Sequence, residues 1–172
     1  MQRTKLPFRA DHVGSLLRSA ALKEAREKRA SGALSAEAFK EIEDREIEGV
    51  IKKQEAVGLK SVTDGEYRRI SWNIDFLEYD SERAGGFEPL RFFPKGNKQL
   101  VLGLVTSKSG KLENKDDIKK RIEEATKYVP LDQLCLSPQC GFASTEEGNV
   151  LAEDEQWAKL RMIVEIADEV WG

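Results

Sequence analysis

Two short apolar runs, residues 99–105 and 131–136, flank one polar stretch with a helix signature, and that spacing decides which class of fold is open to the chain. The first run is almost uninterrupted, as expected of a parallel strand covered on both faces. Between the runs Asn114 caps a helix with Asp116 and Asp117 in its first turn, where carboxylates favour the helix dipole; the helix ends near Lys127. The amino-terminal part has the same grammar. Residues 6–17 read as strand plus loop, a helix over 20–31 stops at Gly32, and Ser35 caps a longer helix to about Val57. In that longer helix Phe39, Ile42, Ile47, Val50 and Ile51 recur at helical spacing. Gly58 ends it, residues 59–63 read as a short strand, and Asp64-Gly65-Glu66 sits on the loop beyond. Helix, glycine, strand and loop in this order make an α/β chain. A last helix is expected over 154–170, with Trp157, Leu160, Ile163, Val164 and Ala167 on one face. Residues 79–97, with Gly85-Gly86, Pro89, Pro94 and Gly96, are the least regular stretch and read as a long loop.

The second apolar run ends at Pro138, and Cys140 follows at once with Gly141 behind it. That puts a soft ligand or nucleophile on a loop at the carboxyl end of a strand, where α/β proteins collect their chemistry. The other reading is a packed thiol, since free cysteines are among the most buried residues.

Four stretches bear on that choice. Residues 137–142, Ser-Pro-Gln-Cys-Gly-Phe, resemble the last zinc-ligand motif of the cobalamin-independent methionine synthase family. Residues 9–18, Arg-Ala-Asp-His-Val-Gly-Ser-Leu-Leu-Arg, are similar to that family's first barrel strand and loop. Residues 61–69, Ser-Val-Thr-Asp-Gly-Glu-Tyr-Arg-Arg, are similar to its second, and residues 100–108, Leu-Val-Leu-Gly-Leu-Val-Thr-Ser-Lys, to its seventh. The resemblance is to the short single-barrel members rather than the two-barrel enzymes. It implies a TIM (β/α)8 barrel, yet a whole one takes about 250 residues and this chain has 172. The second-strand motif runs through residues 71–78 directly into a segment that belongs, in relatives, just before strand seven. Strands three to six are therefore missing, and the join falls near residues 76–78. Strands seven, eight, one and two are neighbours around a closed barrel. The expected architecture is thus a partial barrel of about half, in one domain over 1–172, with strands one and two in 1–78 and seven and eight in 79–172.

In the family, a zinc ion held by two cysteines, a histidine and a glutamate lowers the pKa of the homocysteine thiol. The thiolate then takes the methyl group of methyltetrahydrofolate to give methionine. Cys140 matches the last of these ligands; the His-x-Cys pair and the glutamate belong to the missing middle, and His12 is the one histidine of the chain. The resemblance assigns Gly14 and Ser15 to the amino-acid portion of homocysteine, and Glu66 to its ammonium group. A glycine admits close backbone approach and a serine offers donors to a carboxylate, although the same pair also suits an ordinary turn. Asp-Gly pairs usually mark turns, and Arg68 and Arg69 beside Glu66 also suit a surface ion pair. His12 shares the strand-one loop and is a weak catalytic candidate. Lys108 falls where the two-barrel enzymes carry a proton-donating histidine. Trp72 reads either as lining for an aromatic pocket or as core.

Composition sets the remaining bounds. Hydrophobic residues at 40% and charged residues at 34% fit a globular chain, and the net charge of −3 supplies no field for nucleic acid. No apolar run approaches a membrane span and the start lacks a signal-peptide core, so a cytoplasmic location is expected. Cys135 and Cys140, on one strand and its loop, are badly placed to pair with each other. Three readings of function stand. One is a cut-down methyltransferase of methionine synthase type. The second is a non-catalytic truncated or engineered half-barrel that self-associates, because two open strand edges invite a second copy, with a homodimer closing eight strands. The third is a relative acting on another thiol. Three absent zinc ligands argue against activity of the isolated chain.

Overall fold

The computed structural model describes residues 8–12, 14–68, 87–96, 98–143 and 150–172. The helices start where local chemistry says they should. Ser19 Oγ accepts the Leu22 N–H and opens α1 (Ala20–Ala30), and Ser35 Oγ accepts the Ala38 N–H and opens α2 (Ala36–Ala56). Gly58 follows α2 with φ of 94°, a left-handed value that stops a helix at little cost only for glycine.

Strand β1 (Leu100–Val105) leads into α3 (Lys115–Thr126), which returns the chain to β2 (Leu134–Pro138). The two strands pair in parallel, with Leu100 opposite Leu134 and Leu102 opposite Leu136, and the register shifts between Gly103 and Val105. On the far side of β2, Ala10 forms a parallel bridge with Leu136: Leu136 N–H donates to Arg9 O at 2.9 Å and Asp11 N–H to Leu136 O at 3.1 Å. The order is therefore β1, β2, residue 10, with every strand running the same way. Helix α4 (Glu153–Trp171) packs on β2 and α3. Leu102, Leu134 and Leu136 of the sheet share one core with Ile118 and Ile122 of α3 and Leu160, Ile163 and Ile166 of α4. Each such side chain contributes about 1.5–3 kcal/mol by leaving water.

Four expectations need correction. Residues 59–63 form no strand: Gln54 of α2, fully buried, donates to Thr63 O at 2.7 Å and accepts Thr63 N–H at 3.0 Å, so a side chain satisfies backbone groups that a neighbouring strand would otherwise pair. Residues 131–133 make a 3-10 turn and the strand begins only at Leu134. β1 is covered on one face, not two: Leu102 and Val105 are buried, but Val101 is 40% exposed and Gly103 is open. Of the first expected strand, the described part pairs only through the single bridge at Ala10. Within the irregular stretch, Glu88–Phe92 is one 3-10 helix. The presumed join at 76–78, together with Trp72 and Arg69, lies outside the described residues. No helix among the described residues is long and apolar enough to cross a membrane.

Candidate functional site

Three loops, contributed by distant parts of the chain, meet at the carboxyl ends of the strands. The first follows residue 10 and carries His12, Gly14 and Ser15. Its Ser15 is 4% exposed; the carbonyl accepts Phe142 N–H at 2.6 Å and the hydroxyl accepts Ala143 N–H at 3.2 Å. Gly14, at φ of 100°, lies so near Gly141 that a Cβ there would sit 3.0 Å from Gly141 N, and Gly141 in turn presses against Ser15. Both glycines are needed for this backbone-to-backbone approach.

The second loop, beyond β2, holds Cys140. Its thiol is exposed and outside any disulfide, whereas Cys135 within β2 is buried, with Sγ 3.7 Å from Gln99 Oε1. The third is the 64–67 turn. Asp64 Oδ1 accepts Glu66 N–H at 2.9 Å, Gly65 O accepts Leu16 N–H at 3.0 Å, and half-buried Glu66 has a left-handed φ of 57°. In a non-glycine residue such a φ persists where its surroundings impose it. Arg68 pairs with Asp44 and, at 3.6 Å, with Glu43 of α2, so this arginine is directed at the helix and not back at Glu66. A fourth loop, after β1, carries exposed Lys108, whose N–H donates to Thr106 Oγ1 at 3.2 Å. That loop is set by Lys159 of α4, fully buried, which donates to Lys111 O at 2.7 Å and Glu113 Oε2 at 2.9 Å; Glu113 Oε1 accepts Thr106 N–H.

His12 is 1% exposed, lies 5.7 Å from the Phe142 ring, and has neither ring nitrogen hydrogen-bonded. Burial pushes its pKa down to about 4. Burial also pushes the Asp11 carboxyl up, opposed by the hydrogen bond it accepts from His12 N–H. The sequence pattern thus places Gly14, Ser15, Glu66 and Cys140 on touching loops and seals His12 beneath them. It does not bring a zinc donor set together: among the described residues no group of three or more histidines, cysteines, aspartates and glutamates has metal-binding geometry. Cys140 is exposed while Cys135 and His12 are buried, so these residues do not fit the four-ligand zinc of the family.

Residues that sequence reasoning passed over do the fastening. Leu17 N–H donates to Gln156 Oε1 of α4 at 2.7 Å and the Tyr67 hydroxyl donates to Leu17 O at 2.7 Å. Gln156 and Lys159 left a signal, since both interrupt the apolar stripe of α4 at helical spacing from Leu160 and Ile163. Tyr67, following an Asp-Gly-Glu turn, left none. A cavity of about 50 Å³ near Ala10, Gly58 and Trp171 lies at the opposite end of the strands and is large enough only for water.

The model of one family, cobalamin-independent synthase, catalytic domain, matches residues 74–169. The chain belongs to that family. It is 71% identical over 101 residues to the uncharacterized protein YxjG of Bacillus subtilis, a match covering 58% of this chain and 27% of YxjG. It is 28% identical over 101 residues to a methionine synthase of Methanothermobacter marburgensis, covering 58% of this chain and 31% of that one. The chain thus spans less than a third of these curated relatives. A crystal structure from Listeria monocytogenes, assigned as a vitamin-B12 independent methionine synthase, superposes with a TM-score of 0.78 at 25% identity over 96% of this chain and 98% of that chain. The α/β fold is accordingly similar to that of a methionine synthase of the cobalamin-independent class.

Proposed function

We propose that this chain is the half of a methionine-synthase-type barrel that holds the amino-acid end of homocysteine. In this reading the Gly14–Ser15 loop takes the carboxylate, Glu66 takes the ammonium, and the exposed Cys140 meets the thiol end. The observation that carries it is the joining of the three loops by main-chain hydrogen bonds, Phe142 N–H to Ser15 O and Leu16 N–H to Gly65 O. Residues 1–172 act as one domain, with strands one and two in 1–78 and seven and eight in 79–172. Lys108 stands beside the site as its weakest candidate. Zinc and methyltetrahydrofolate belong to the family's full reaction, and no methyl-transfer step is assigned to this chain alone because its own donors do not fit the metal. The second edge of β1, which pairs with no strand among the described residues, supports a homodimer in which a second copy completes the sheet.

Titration calorimetry with L-homocysteine tests the site and sedimentation tests the assembly. Wild-type protein is expected to bind, and Glu66→Gln to weaken binding by about tenfold or more, the loss of one charge-assisted bond. Added zinc is expected to leave the affinity unchanged. Absence of binding by the wild type removes the proposal, and a monodisperse monomer removes the dimer.

A further inference from the structure

Residues 15–17 tie the three joined loops of the candidate site to the rest of the fold. Upstream, Ser15 holds the Cys140 loop through Phe142 and Ala143. Leu16 N–H reaches Gly65 O in the turn that carries Glu66. The Leu17 peptide is fixed from two sides, its N–H by Gln156 Oε1 and its carbonyl by the Tyr67 hydroxyl, both at 2.7 Å. Tyr67 is itself anchored. The residue is 4% exposed, and its main-chain carbonyl accepts a hydrogen bond from the Arg26 guanidinium at 2.6 Å. Its N–H closes the turn onto Asp64 O at 3.3 Å, directly after the left-handed Glu66.

Volume alone does not call for a tyrosine here, because a phenylalanine would fill the same space; the hydroxyl alone can reach Leu17 O. A buried hydroxyl is retained at little cost when it makes such a bond. Gln156, fully buried with Nε2 unpaired, accepts from Leu17 while leaving both of its own amide N–H donors unsatisfied, so this acceptor is placed at the expense of a polar group in the core.

We propose that Tyr67 is a positioning residue: acting through Leu17, its hydroxyl sets the Gly14–Ser15 loop against both Glu66 and the Cys140 loop, so that the ammonium and carboxylate of an α-amino acid meet preformed partners. The ligand clause rests on the amino-acid site proposed above; the mechanical clause stands on the hydrogen bonds alone.

Amide hydrogen exchange on wild type, Tyr67→Phe and Gln156→Met tests the mechanical clause. Phe142 and Ala143 touch neither Tyr67 nor Gln156 in the hydrogen-bond network, yet their exchange is expected to quicken about tenfold in each variant while Ile163 and Ile166 in α4 exchange as in wild type. Unchanged rates at Phe142 and Ala143, or equal acceleration throughout the chain, overturn positioning in favour of a plain structural role. Should Tyr67→Phe fail to fold, Gln156→Met decides by the same readout. Calorimetry with L-homocysteine tests the ligand clause, with several-fold weaker binding expected for Tyr67→Phe. Wild-type protein that binds no L-homocysteine overturns the amino-acid site and the ligand clause together, and the exchange comparison then judges the mechanical clause independently. Normal binding by a folded Tyr67→Phe overturns the ligand clause alone.

Discussion

The carboxyl-terminal part of the molecule is held by a ladder, and the amino-terminal part by side chains. β1 and β2 pair along their length and bury one face against α3 and α4. Residues 8–12 contribute a single bridge and residues 59–63 no strand; Gln54 holds Thr63, while Gln156 and Tyr67 hold Leu17 in the loop after residue 10. The difference shows what a strand needs. An apolar run becomes a ladder when a partner runs beside it, and without one its backbone groups turn to whatever donor or acceptor is near. The candidate site sits on the seam between these two modes, which is why its integrity depends on a few polar side chains.

Four changes probe that contrast, beginning with the largest effect. Lys159→Ala leaves Glu113 and the loop after β1 without their buried partner, and is expected to cost about 3–5 kcal/mol in urea unfolding. Acid comes next. His12 is held neutral by burial with a pKa near 4 against an ordinary 6.5, so between those values the unfolded chain binds a proton that the folded chain refuses. Stability is therefore complete above about pH 6.5 and falls as pH drops toward 4, by about 3 kcal/mol in all. Unfolding curves across that range are expected to flatten in His12→Leu. Gln54→Met should cost about 1–3 kcal/mol and speed amide exchange at Thr63 while sparing β1 and β2. Asn114→Ala removes the cap that accepts Asp116 and Asp117 N–H groups, for about 1 kcal/mol by thermal melting.

Helices were legible in the sequence because their signals are local. Ser35, Asn114 and Gly58 mark ends within a residue or two, and the stripe of α4 names its buried face. Sheet structure was less so. Whether residues 59–63 form a strand depends on what lies alongside, and the one-sided cover of β1 depends on the assembly of the fold rather than on its own composition. At the site, the glycines at 14 and 141 and the exposed Cys140 follow from the motifs. Burial of His12 does not, since a lone histidine carries no sign of which side it faces. The roles of Tyr67 and Gln156 come from contacts across about 50 and 139 residues of separation, beyond the reach of local pattern.

As proposed, the touching loops carrying Gly14, Ser15, Glu66 and Cys140 recognise the amino-acid end of a thiol. The most direct test is a calorimetric comparison of L-homocysteine with 4-mercaptobutanoate, which keeps thiol and carboxylate and lacks the amine. Binding of L-homocysteine with the analogue weaker by about tenfold or more is the expected result. Equal affinity for both, or no binding of either, would mean that Glu66 and the Gly14–Ser15 loop do not recognise an α-amino acid.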